Sequence, residues 1–244
     1  MKKAILKLLR KTGRTIKPIN TYEEKLHPVK NLWLKNKNIK TVFDIGASDG
    51  GFAREIRELL PTAKIYSFEA LPEIYEKLES NFIDDALFQS YNIALSNYNG
   101  QTSFFRCESS RSSSILEMDE LHKTAYPGTK NNEKINIMCS TLDDFIANEN
   151  IVIDKNVLIK IDVQGAEKLV LEGAENLLSK SELIFSEINF NSVYKGNVLF
   201  NDLASFLEEK GFKIEGIKNV SQSLVDGTFL QADAFFSKDI HNKT

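Results

Sequence analysis

The segment Asp44-Ile-Gly46-Ala-Ser48-Asp49-Gly50-Gly51 puts three glycines and two carboxylates into eight residues. It follows a short apolar run, Thr41 to Ile45, and opens a helical stretch. Glu69 ends the next apolar run, 19 residues after Gly50. A strand, a tight glycine turn, a helix and a second strand ending in an acid form a site for an adenosine-containing ligand. The glycines let the backbone approach the ligand, and the acid accepts hydrogen bonds from ribose hydroxyls. Two further acids, Asp162 and Glu187, stand at or near the ends of later apolar runs. Carboxylates placed there can orient a hydroxyl or remove its proton.

Charge selects among adenosine ligands. A nicotinamide dinucleotide needs glycine where Ser48 stands, and its pyrophosphate is repelled by Asp44 and Asp49. At about 4 Å and an effective dielectric near 20, each like-charge contact costs on the order of 4 kcal/mol before screening. S-adenosylmethionine carries an ammonium and a sulfonium and no phosphate, so the same acids attract it. Taken alone, the turn also fits plain turn glycines with Asp49 as a helix cap. Glu69 in register favours the ligand site.

These residues need a framework. The pattern predicts strands at Thr41–Ile45, Lys64–Phe68, Phe88–Ala94 and Val157–Val163, then Glu182–Ile188, Phe212–Ile217 and Ala232–Phe236. Helices fall at Phe52–Leu60, Pro72–Ser80, Ala166–Leu178 and Asn201–Lys210, with a shorter one capped by Thr141. Thr102–Arg106 and Lys134–Cys139 are strand-like runs around a polar stretch. Strands alternating with helices imply a parallel sheet covered on both faces, and the last two strands, joined without a helix, imply one antiparallel member.

The chain resembles the FkbM-type S-adenosylmethionine-dependent methyltransferases. Val42-Phe-Asp-Ile-Gly-Ala-Ser-Asp-Gly50 is similar to motif I of class I methyltransferases, and Tyr66-Ser-Phe-Glu69-Ala-Leu-Pro72 to the acidic second-strand motif. Asn92-Ile-Ala-Leu-Ser96, followed by Gly100, resembles the family's A-L-S segment. Leu158-Ile-Lys-Ile-Asp162-Val-Gln-Gly165-Ala-Glu167 is close to its K-I-D-V-E-G-A-E, with Gln164 for the usual Glu. The resemblance implies an α/β Rossmann-like sandwich with a seven-stranded, mostly parallel sheet in the order 3-2-1-4-5-7-6, strand 7 antiparallel. It implies methyl transfer, usually to a hydroxyl of a sugar, polyketide or related natural product. Carried over by motif, Asp44, Gly46 and Gly50 hold the methionine end, Glu69 the ribose, Ala94 or a neighbour the adenine, and Asp162 lies beside the transfer site. Ser48, which departs from the motif's common second glycine, is also counted among the cofactor-binding residues.

Three residues are candidates for catalysis. Asp162 serves as base or as orienter of the acceptor; the alternative is a cap for the following helix, with Glu167 in its first turn. Alternation puts Glu187 on one face with Leu183, Phe185 and Asn189, and a buried acid there needs a partner, for which Lys160 is the candidate. His122 suits proton transfer near neutral pH, against the alternative of a surface histidine. Asp162, Glu187 and Asn189 could together bind a divalent cation, but the lysine that follows the fourth-strand acid in catechol-type enzymes is replaced by Gly165 and Ala166, so metal is not favoured. Ser109 to Ser114, with Arg111, belongs to an insert at about 107–133 that is expected to be a substrate lid or disordered. Tyr126 and Tyr194 could stack on a sugar.

The 244 residues carry a net charge of −3. Residues 1–17 hold seven basic groups and no acid, and the remainder 24 basic against 34 acidic residues. An acidic body argues against a nucleic-acid binder. Two cysteines provide no disulfide framework. No 18-residue apolar run predicts a membrane span, so the cytoplasm is expected, with the basic segment either a helix for weak membrane-surface contact or partner docking, or a solvated tail. The domain reading is a helical extension over 1–40 and a methyltransferase domain over 41–238. A nicotinamide oxidoreductase and a non-catalytic S-adenosylmethionine-binding domain are the alternatives, and the oligomeric state is open.

Overall fold

The computed structural model describes residues 31–126, 129, 131–153 and 156–238. The chain divides into two compact units, Met1–Asn36 and Lys37–Thr244. The basic segment 1–17 lies outside the described residues, as does the rest of the helical extension expected over 1–40 up to residue 30. The described part of that extension holds a 3-10 turn, Leu32–Lys37.

The larger unit is built on β1 (Thr41–Ile45), α1 (Gly51–Leu59), β2 (Lys64–Phe68), α2 (Pro72–Asn81), β3 (Phe88–Tyr91), β4 (Ala94–Leu95) and β5 (Gly100–Cys107). After these come α3 (Glu120–Ala125), β6 (Asn132–Ser140), α4 (Leu142–Asn148), β7 (Val157–Ile161), α5 (Glu167–Glu172) and α6 (Glu175–Lys180). The unit closes with β8 (Ser181–Asn189), α7 (Phe200–Glu209), β9 (Phe212–Lys218) and β10 (Gln231–Lys238). Seven strands form one sheet in the order β3-β2-β1-β7-β8-β10-β9. Counting only this sheet's strands, that is the expected 3-2-1-4-5-7-6, with β10 antiparallel to both neighbours.

All five residues of β1 and of β7 are buried, as central parallel strands covered on both faces require. One face, with Phe43, Phe68, Ile159 and Ile184, packs on Leu142, Val170, Leu177 and Leu203 of α4 to α7. On the other face Phe52 of α1 stacks on Phe185 at 5.7 Å.

Local chemistry explains where elements begin and end. Pro72 opens α2 at its first position. The Thr141 side chain caps α4 by accepting from Asp144 N at 3.1 Å. The helix expected over 166–178 is two helices. A Cβ on Gly173 would lie 2.2 Å from Ser96 O, so the chain turns at the glycine where β4 passes.

The strand expected over 88–94 also divides. Asn92 Nδ2 donates to Glu69 O at 2.9 Å and to Ala70 O at 3.1 Å, which leaves Ala94–Leu95 to pair with β6. The result is a second sheet, β4-β6-β5. The insert is ordered over its described residues. Met118, Ala125, Cys107, Val193, Tyr194 and Leu230 form a small core beneath it.

Candidate active site

At Gly46 the backbone turns left-handed, φ 73°. A Cβ there would lie 1.9 Å from Asp162 O, so the turn after β1 packs backbone to backbone on the end of β7. Asp162 N donates to Ile45 O, and Gly46 N and Ala47 N both donate to Phe68 O, each at 3.0 Å. The carboxyl ends of β1, β2 and β7 are thus tied into one rim.

Glu69 completes that rim. Its carboxylate accepts from Ser48 N and Leu71 N, each at 2.9 Å. Burial pushes its pKa up, opposed by those two hydrogen bonds and by Lys160. Beneath the turn, Lys160 Nζ lies 3.0 Å from Asp44 Oδ1 and 4.0 Å from Asp162 Oδ2, and donates to Gly46 O at 2.7 Å. Burial favours the neutral amine, but Asp44, Asp162 and Glu69 outweigh it and raise the Lys160 pKa.

The rim encloses a cavity of about 490 Å³, at the strand ends where an open α/β sheet binds ligands. Gly46, Ser48, Glu69, Ala94 and Asp162 line it. Phe68, Ile93 and Leu95 give it an apolar side. Glu187, Gln164, Asp233, Lys218 and Asn219 form the opposite wall, and Ser110, Arg111 and Ile115 of the insert reach its mouth. An acidic wall beside an apolar slot, with Glu69 at the second strand end, fits a cationic adenosine ligand.

Other sequence expectations fall elsewhere. Asp44 is fully buried behind the wall, against Lys160, and Gly50 lies behind the rim with its Cβ direction blocked by Phe82 at 2.3 Å. Glu187 does not pair with Lys160. Its oxygens accept from Gln231 Nε2 at 2.6 Å and Gln164 Nε2 at 3.3 Å, because Lys160 is held at the turn by Asp44.

Asp162 does not cap α5. It accepts from Gln164 Nε2 at 2.7 Å, while the buried Glu167 ties the loop by accepting from Val163 N and Gly165 N, each at 3.1 Å. Burial raises the Glu167 pKa to about 7. Asn189 is 2% exposed and off the cavity wall, so it does not join Asp162 and Glu187. No group of three or more His, Cys, Asp or Glu among the described residues is arranged to hold a metal ion.

His122 is not a surface residue and does not reach the cavity. It is 2% exposed, between Thr129 Oγ1 at 3.2 Å and Tyr194 OH at 3.3 Å, and burial lowers its pKa to about 4. Tyr194, fully buried, is not available as a stacking platform. Asp233, which is not among the sequence candidates, pairs in register with Glu187 across β10 and β8. An acid inside the apolar run Ala232–Phe236 was the available signal, the same one that drew attention to Glu187.

The sheet order, the glycine rim and the acid-walled cavity define a Rossmann-like methyltransferase that uses S-adenosylmethionine. The chain belongs to the methyltransferase FkbM domain family, whose sequence model matches residues 44–214. It is 26% identical over 171 residues to the 2-O-methyltransferase NoeI of Sinorhizobium fredii (strain NBRC 101917 / NGR234), covering 68% of this chain and 70% of that protein.

Similar folds include the precorrin-6y C5,15-methyltransferase of Geobacter metallireducens (13% identity, TM-score 0.43, covering 92% of this chain and 93% of that one). Aeropyrum pernix fibrillarin with bound S-adenosyl-L-methionine is another (11% identity, TM-score 0.43, covering 81% and 66%). No helix among the described residues is long and apolar enough to cross a membrane.

Proposed function

We propose that this protein methylates a hydroxyl oxygen of a sugar, glycan or small natural product, with S-adenosylmethionine as donor. One observation carries the reading: Asp162 and Glu187 both line the cavity and both accept from Gln164 Nε2, beside the slot that begins at Gly46 and Glu69. A hydroxyl acceptor needs a group that orients it and one that takes its proton, and these two carboxylates fill those roles. The name of the related 2-O-methyltransferase supports oxygen as the methylated atom.

S-adenosylmethionine, when bound, supplies a methyl carbon activated by its sulfonium. Glu69 would accept from the ribose hydroxyls with the lone pairs left by Ser48 N and Leu71 N, and Ala94 with its neighbours would face the adenine. Asp162 orients the acceptor hydroxyl, and Glu187 Oε2 receives its proton. Burial, with Asp162, Glu167 and Asp233 nearby, raises the Glu187 pKa well above the usual carboxylate range, which brings a base closer to working pH. The base must be ionised, so transfer rises with pH through this raised pKa.

The test is tritiated-methyl transfer from S-adenosylmethionine to cell-envelope glycans and small-molecule extracts, with and without EDTA. Glu187→Gln should lower kcat by about 10²–10⁴-fold and remove the rising pH limb. Cofactor binding with no transfer to any pool would show a non-catalytic binding domain instead.

A further inference from the structure

Gln164 occupies an unusual backbone position. It is a non-glycine residue at φ 57°, followed by Gly165 at φ 95°, and such left-handed residues persist only when their surroundings hold them there. The surroundings do so on both sides. Ser114 Oγ of the insert lies 2.8 Å from Gln164 O and 3.1 Å from Val163 O, and Glu167 holds the flanking amides.

The side chain is also committed. The Gln164 amide has two hydrogens, one for Asp162 Oδ1 at 2.7 Å and one for Glu187 Oε2 at 3.3 Å. Its carbonyl accepts from Tyr194 OH at 2.9 Å. The same hydroxyl lies 3.3 Å from Ser112 O, so Gln164 takes the shorter of its two contacts. His122 Nε2 lies 3.3 Å from the Tyr194 oxygen and its Nδ1 3.2 Å from Thr129 Oγ1, whose hydroxyl donates to Tyr126 O at 2.8 Å. Burial keeps this histidine neutral.

We propose that Gln164 is a positioning residue for methyl transfer. Its amide locks Asp162 and Glu187 as a fixed pair at the acceptor end of the cavity, and Tyr194 with His122 behind it sets which way the amide faces. This rests on the roles given to Asp162 and Glu187 above. A carboxylate at position 164 would have no hydrogen to offer either acid and would add charge beside Asp162, Glu187 and Asp233. An apolar side chain would take this partner from Asp162 and leave Glu187 held by Gln231 alone, with its Oε2 unanchored.

The experiment uses the full chain and two variants, Gln164→Leu and Tyr194→Phe. Side-chain carboxyl ¹³C NMR follows the titration of Glu187, assigned with Glu187→Gln, and calorimetry measures S-adenosylmethionine binding. Loss of the donor to ionised Glu187 should move its titration upward in Gln164→Leu, and in the same direction but less in Tyr194→Phe, with cofactor affinity unchanged. In the tritiated-methyl assay kcat should fall about tenfold or more in Gln164→Leu, at unchanged KM for the cofactor.

A Glu187 titration that stays in place in folded, cofactor-binding variants would overturn the proposal. Should Gln164→Leu fail to fold, Tyr194→Phe, which removes one oxygen, decides it. If the titration moves while Glu187→Gln leaves transfer intact, the lock stands and the catalytic reading of Glu187 falls.

Discussion

Asp44 and Lys160 stand opposite each other in the parallel register of β1 and β7, with Lys160 Nζ 3.0 Å from Asp44 Oδ1. The pair is buried beneath the glycine turn, and Lys160 also holds Gly46 O. One cation therefore fixes both the charge and the shape of the rim. Breaking a buried pair by removing one partner leaves an uncompensated charge, so Lys160→Met should destabilise by about 3–5 kcal/mol. The double variant Asp44→Asn/Lys160→Met should recover much of that loss. Urea unfolding of all three chains checks it, and equal stability of the single and double variants would refute the coupling.

Gly46→Ala is expected to damage the rim more than its size suggests. The added methyl would meet Asp162 O at 1.9 Å, at a φ of 73° that non-glycine residues rarely adopt. Thermal melts and cofactor calorimetry should show both a lower melting temperature and weaker binding. A wild-type melt and affinity would mean that β1 and β7 can separate at no cost.

Glu69→Gln keeps the size of the side chain but gives one acceptor oxygen in place of two. Ser48 N and Leu71 N then compete for it, and one amide faces an NH₂ group. Hydrogen bonds to charged groups are worth about 1.5–3 kcal/mol, so S-adenosylmethionine affinity should drop roughly 10- to 100-fold. Calorimetry yielding the wild-type dissociation constant would remove Glu69 from the cofactor site.

His122 makes the fold acid-sensitive. Its pKa is about 4 in the folded chain against 6.5 for an ordinary histidine, so the unfolded chain binds more protons between those values and stability is lost as pH falls from 6.5 towards 4. The loss from this group reaches roughly 3 kcal/mol at the lower end. His122→Gln should show a smaller drop between pH 7 and pH 5 in denaturant midpoints than the wild type. Parallel pH profiles for the two proteins would contradict the assignment.

Much of the frame was readable because its signals are local. Val157–Ile161 is apolar at almost every position and lies between both layers. Thr141 caps its helix through a neighbour three residues away. The elements that misled expectation depend on contacts distant in sequence. Ser96 O, pressed against Gly173, divides one helix, and Asn92, bonded to Glu69 O and Ala70 O, divides one strand. His122 looked like a surface residue because its neighbours in sequence are polar; the core that buries it includes Tyr194 and Leu230, far along the chain.

The sequence by itself determined the glycine turn, Glu69 after the second strand and the acids Asp162 and Glu187, since each follows from residue type at fixed spacing; the sheet order was implied by the resemblance that these motifs carry. Only the tertiary structure decided the partners. Lys160 was free to pair with any acid on its face, and strand register gave it Asp44. Glu187 was left to two amides, Gln164 from the β7 loop and Gln231 from β10. Side chains that meet across strands are chosen by register and burial, which a linear pattern of residues does not contain.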